Sequence, residues 1–216
     1  MIINKLNLIE NEIQLKISES KFCPTIIAVS KTHEMNNILP LIKYGHKDFG
    51  ENKVQEAVLK WKNIKLDYPN VKLHMIGKIQ TNKVKYVVDL FDYVHSLDNI
   101  NLAEKISIEQ KKKEKNLKIF IQVNIGNEIQ KSGIPLNKLN EFYNSCTKDL
   151  KLNIVGLMCL PPNDDKANLY FKKMKNLKET MSLDELSMGM SKDYLEATQY
   201  GSTFLRIGSK IFGNRH

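Results

Sequence analysis

The chain has 216 residues, 42% apolar and 26% charged, the composition of a globular protein with a sizeable core to bury. No apolar run is long enough to cross a bilayer, and the start Met1-Ile2-Ile3-Asn4-Lys5 lacks the basic segment and apolar block of a signal peptide, so the cytoplasm and no membrane partner are expected. The net charge of +9 is spread along a chain rich in Lys, Asn and Ile throughout; it points to no nucleic-acid partner, and no aromatic residues interleave with its densest basic run.

Two patterns alternate along the chain. Ile2, Leu6, Ile9, Ile13 and Ile17 form a helical stripe ahead of a first strand at 25–30. A strand at 47–50 follows. Next come a helix bearing Val54, Val58, Trp61 and Ile64 on one face, and strands at 72–76 and 93–96. A helix should end at Lys111-Lys112-Lys113-Glu114-Lys115, where cations complement the helix dipole. After a strand at 118–124, Pro135 suits the first turn of a helix carrying Leu136, Leu139, Tyr143, Cys146 and Leu150. A strand at 153–159 precedes a less clean stripe of Ala167, Phe171, Met174, Lys178 and Met181, with Leu177 beside Lys178. Strands at 185–188 and 203–207 close the series. Thr32, Asp98, Asn163 and Ser191 are the expected N-caps.

No Pro/Gly-rich or low-complexity boundary divides this alternation, so residues 1–216 are expected to form one domain. Strands joined by helical crossovers lie parallel, and eight such units close an α/β (β/α)8 TIM barrel, here with an extra N-terminal helix. An open doubly wound sheet is the alternative, though no GxGxxG follows the first strand.

The unusual residues cluster just after the strands: Lys31, Gly50-Glu51-Asn52, Gly77, Ser96, Asn124, Gly189 and Gly208-Ser209. In a parallel barrel these positions share one face, where active sites form. Strand periodicity puts Ile27, Val29 and Lys31 on one side; if that side is the interior, the amine enters the mouth, desolvation lowers its pKa, and the neutral form can attack a carbonyl. The plainer reading is a lysine snorkelling at the surface. The turns at Ser187-Met188-Gly189-Met190-Ser191 and at Gly208-Ser209 offer free backbone N–H groups for a phosphate, or are ordinary βα loops. Arg206, inside an apolar strand, faces either a ligand or a buried partner. His33, His46, His74, His95 and His216 show no metal-ligand spacing, and His74 and His95 read as core or wall. Cys23, Cys146 and Cys159, odd in number and widely spaced, argue against disulfides and a zinc knuckle and read as core residues.

At these residues the chain resembles the pyridoxal 5′-phosphate (PLP) homeostasis protein family, barrels similar to the N-terminal domain of alanine racemase. The resemblance is carried by 28–32 (Ala-Val-Ser-Lys-Thr), 49–52 (Phe-Gly-Glu-Asn) with Val54-Gln55-Glu56, and 74–77 (His-Met-Ile-Gly) with Gln80 and Asn82-Lys83. It continues through 94–98, 122–124 with Glu128, Lys131 and Gly133, 156–158, 186–191, and 201–213. It implies a PLP fold type III barrel, with Lys31 as the Schiff-base lysine. It further implies that Ser187, Gly208 and Ser209, with the Gly189 turn, hold the phosphate. Arg206 would face the pyridine nitrogen, and Asn52, Met75 and Ile76 would line the ring. Lys53 and Leu73 depart from the family pattern, which usually has aromatic residues there, and are expected to reshape the rim.

The implied function is intracellular PLP (vitamin B6) homeostasis by a monomer that carries PLP, supplies PLP-dependent apo-enzymes, and turns nothing over itself. The alternative is a PLP-dependent amino-acid racemase. A racemase needs an acid/base on each side of the substrate carbon, which fold relatives complete with an added β domain, whereas this sequence stops at His216. An arginine at the pyridine nitrogen also weakens the electron sink.

Overall fold

The computed structural model describes residues 1–17, 23–128 and 132–213. The β-branched and aromatic runs form eight short strands: β1 (Thr25–Val29), β2 (Asp48–Glu51), β3 (Lys72–Met75), β4 (Tyr93–Leu97), β5 (Lys118–Val123), β6 (Ile154–Cys159), β7 (Glu185–Met190) and β8 (Phe204–Ile207). Each pairs in parallel with its chain neighbour, and β1 pairs with β8, so the sheet closes into the expected barrel. Its helices are α1 (Ile2–Lys16), α2 (Met35–Tyr44), α3 (Val54–Trp61), α4 (Ile64–Asp67), α5 (Val84–Leu90), α6 (Ile100–Lys113), α7 (Leu139–Asn144), α8 (Ala167–Thr180), α9 (Tyr194–Gln199) and α10 (Ser209–Phe212). Among the described residues, no helix is long and apolar enough to cross a membrane.

Strand parity sorts the core into two layers. Ile27, Tyr93, Phe120, Met158 and Phe204 fill the barrel interior. Their chain neighbours, such as Ile26, Ala28 and Leu205, point outward into the larger core shared with the helices. The α1 stripe buries Leu6, Ile9 and Ile13 against this outer layer, where α1 packs on α2, α9 and α10.

Several local expectations are corrected. Pro135 stands ahead of a 3-10 turn at Leu136–Lys138, outside the helix, and a π-helical turn at Ser145–Asp149 follows α7. None of the four expected N-caps is used. Asn99, next to Asp98, adopts the extended backbone and accepts the Leu102 N–H at 2.9 Å. Thr32 lies at φ 65°, and α2 starts only after Glu34. Asp164, rather than Asn163, takes the Lys166 N–H ahead of α8, while α9 begins after Asp193 rather than Ser191. Neighbouring polar residues have similar capping chemistry, so backbone angles decide between them. Cys146 and Cys159 are core residues, but Cys23 is exposed.

Candidate functional site

The strands' C-terminal ends surround a cavity of about 710 Å³, lined by Lys31, Asn52, Ile76, Arg206, Gly208 and Ser209 among others. Six βα connections thereby converge, as the barrel geometry requires. Along β1 the interior parity of Ile27 and Val29 continues to Lys31, which reaches the mouth.

The Lys31 loop is gripped from behind. Ser30 Oγ donates to Glu51 Oε1 at 2.7 Å, and the Thr32 N–H donates to Glu56 Oε1 at 2.6 Å. Lys60 Nζ, on α3, bridges the Ser30 carbonyl, Glu51 Oε1 and Glu56 Oε1, each at 3.0 Å. Trp61 Nε1 adds a donor to Glu51 at 2.9 Å. Burial opposes ionisation of Glu56, but the Thr32 N–H and Lys60 outweigh it and hold its carboxyl below the usual value. Asn52 leads out of β2 beside Gly77; a Cβ on Gly77 would lie 2.2 Å from the Asn52 carbonyl oxygen, so only glycine permits this approach. The Asn52 Oδ1 is buried with no hydrogen-bond partner among the described residues, an acceptor left for a ligand.

Arg206 enters from β8 and is 4% exposed. Its guanidinium donates to Ser187 Oγ at 2.7 Å and to the Cys159 carbonyl at 2.8 Å while still lining the cavity. This resolves the choice left open by its sequence: hydrogen bonds hold its inner edge and its outer edge reaches the mouth. Above it, the N–H groups of Gly208 and Lys210 both point at Ser191 Oγ, at 3.3 and 3.5 Å. Ser191 thus joins the β8 turn and was missed as a site residue; its only sequence signal is a hydroxyl directly after the Gly189 turn.

Three candidate residues are placed elsewhere. Ser187 is fully buried beneath the mouth, its hydroxyl engaged by Arg206 and His95, and does not line the cavity. Met75 alternates with inward-facing His74, so its side chain packs in the outer core. Gly189, at φ 88°, would bring a Cβ to within 2.5 Å of Ala197 Cβ, so it serves the packing of α9 on β7. The departures from the family pattern lie off the mouth as well: Leu73 is buried in the outer core and Lys53 precedes α3 on the surface. Asn124 bonds within its own loop, to Glu128. Lys131 and His216 lie outside the described residues.

His74 and His95 are satisfied interior residues. Burial pushes both rings below the ordinary imidazole value; the neighbouring His74 and Arg206 add to the effect at His95.

A lysine, a buried arginine and a hydroxyl-bearing turn thus meet around the mouth of a closed parallel barrel, and residues 6–216 match the alanine racemase N-terminal domain family. The pyridoxal phosphate homeostasis protein of Vibrio alginolyticus is 38% identical over 200 residues, covering 88% of this chain and 86% of the relative. That of Aquifex aeolicus is 36% identical over 203 residues, covering 89% and 88%. The chain belongs to this pyridoxal phosphate homeostasis protein family. PipY of Synechococcus elongatus, solved with PLP bound, superposes with a TM-score of 0.80 at 31% identity over 93% of this chain and all of that one. Alanine racemase from Corynebacterium glutamicum shares the fold, with a TM-score of 0.69 at 14% identity over 97% of this chain and 61% of the racemase.

Proposed function

We propose that this chain binds PLP at the barrel mouth and serves intracellular PLP homeostasis, retaining the cofactor and supplying it to apo-enzymes without turnover of its own. The observation that carries this reading is the meeting of Lys31, Arg206 and the Ser191–Gly208 turn in one cavity. PLP supplies an aldehyde that condenses with amines and a ring that draws electrons when its nitrogen is protonated. Lys31 provides the amine. Ser191, Ser209 and the backbone N–H groups after β8 provide donors suited to a phosphate, and the orphaned Asn52 Oδ1 offers an acceptor for a polar ring substituent. Arg206 presents a permanent cation, which disfavours a proton on a pyridine nitrogen beside it. The names of the relatives support the same reading.

The test is the visible absorbance of purified protein after PLP loading and gel filtration. Lys31→Ala should lose the band, and borohydride should fix PLP to the Lys31 peptide of the parent. A band that survives in the variant removes Lys31 as the anchor. Racemisation of alanine or serine that disappears with Lys31→Ala would replace the carrier reading with the enzyme one.

A further inference from the structure

Five polar side chains stand in single file inside the barrel, from its N-terminal face to the mouth. Asp48 Oδ1 lies 3.0 Å from His74 Nε2, and His74 Nδ1 lies 3.0 Å from His95 Nε2. His95 Nδ1 is 2.8 Å from Ser187 Oγ, which is 2.7 Å from Arg206 Nη1. They come from β2, β3, β4, β7 and β8, each from an inward-facing position. Tyr93 stacks on His74 and Phe120 on His95, both at 4.3 Å between ring centroids, while Phe204 packs across both imidazoles. These walls sheath the row in apolar surface. Asp48, with an 18% exposed side chain, is its outlet to the opposite face.

With both imidazoles neutral, the ends dictate the direction of every proton between them. A guanidinium only donates, and an ionised carboxylate only accepts. Burial opposes ionisation of Asp48, but the His74 hydrogen bond and the positive Lys72 outweigh it and hold the carboxyl below its ordinary value. Ser187 therefore accepts from Arg206 and donates to His95 Nδ1. His95 donates from Nε2 to His74 Nδ1, and His74 donates from Nε2 to Asp48. Burial favours the neutral form of both rings, and in that form both carry hydrogen on Nε2. A second proton on His95 would turn Nδ1 into a donor, set two donors on Ser187 Oγ, and place a charge beside Arg206. Other charged or titratable groups near the row are His46, Asp92 and Tyr93 with its neighbour Lys118 at the Asp48–His74 end, and Cys159 and Asp193 at Arg206.

We propose that Asp48, His74 and His95, acting through Ser187, are positioning residues for Arg206: this one-way row of hydrogen bonds holds the inner edge of the guanidinium and aims its remaining donors into the mouth. The orientation of the cation at the cofactor site is thus set from the far side of the barrel. The same direction of donation commits the Ser187 hydroxyl to His95, so it has no proton to offer a ligand. The role toward PLP rests on the function proposed above; the row itself does not.

The experiment uses full-length protein labelled with 15N at histidine and arginine, ligand-free and PLP-loaded. Long-range 1H–15N correlations should show His74 and His95, assigned through single substitutions, as neutral Nε2–H tautomers from pH 6 to 8. An Nδ1–H tautomer or a charged ring overturns the row. In ligand-free parent the Arg206 Nη signals should be resolved by slow rotation, and in Ser187→Ala that rotation should speed up; an unchanged rate overturns the positioning role. With PLP, Ser187→Ala should bind about tenfold more weakly, the scale of one lost hydrogen bond to a charged group. Unchanged affinity also overturns it. Parent protein that takes up no PLP would remove the proposed function, while the ligand-free signals would still decide on the row.

Discussion

Replacing Lys60 by methionine tests the grip on the Lys31 loop. Methionine keeps an unbranched stem and a similar helix propensity in α3, so the change removes chiefly the ammonium. That group makes three contacts of 3.0 Å, to Ser30, Glu51 and Glu56, from a side chain only 10% exposed. The Glu51 side chain is fully buried, so its carboxylate would lose its one cationic partner among the described residues. Removing one partner of a buried ion pair costs about 3–5 kcal/mol. Ser30 and Trp61 still donate to Glu51 Oε1, which places the expected loss near the lower end, about 3 kcal/mol. For a domain of this size that corresponds to a fall in Tm of about 6–12 °C. Urea unfolding and calorimetry measure it, and a Glu51→Gln background isolates the pair: there Lys60→Met should cost about 2 kcal/mol less. A single variant within about 2 °C of the parent, or equal costs in both backgrounds, would refute the argument that the buried carboxylate depends on Lys60.

Gly77→Ala should destabilise by about 2 kcal/mol, because its Cβ would strike the Asn52 backbone and no side-chain rotation relieves that contact; a parent-like urea midpoint would contradict it. Arg206→Ala should weaken PLP retention by about tenfold or more, read by equilibrium dialysis, since the mouth loses its buried cation; equal affinity would remove Arg206 from the ligand's surroundings. Stability should rise with pH through the range just below pH 6.5. His46, His74 and His95 are all held below that ordinary value by burial, so the unfolded chain binds protons there that the folded chain does not. Each contributes a slope of up to about 1.4 kcal/mol per pH unit, lost as pH falls toward its folded pKa. Urea midpoints across pH 5–7 in the parent and in His46→Gln would show it, the variant being shallower; a flat parent profile would count against buried neutral rings.

The barrel was legible because its signals are repetitive: eight apolar runs with helical stripes between them admit few architectures. Lys31 was legible through strand parity, since Ile27 and Val29 lie inside and the lysine is two residues further on. The same parity, applied to Met75, would have turned its side chain outward, because His74 faces in; the resemblance alone had placed it at the ring. Ser187 needed three-dimensional depth, as parity shows that it faces inward but not that it sits one layer beneath the mouth. Ser191 was hidden because its partners are the N–H groups after β8, seventeen residues on. The partners of His74 and His95 lie on other strands, a relation that local spacing does not carry. The capping misses at Asp98 and Asn163 arose between adjacent polar residues, where the backbone conformation selects the cap.

The packed interior column has one more consequence. Among the described residues, Ile27, Tyr93, Phe120, Met158 and Phe204 fill the bore between the two faces of the barrel. Whatever occupies the mouth must leave by the door through which it entered. A protein receiving it by direct hand-over would have to meet that same rim, around Leu160 and Met190, and could not draw it out from below.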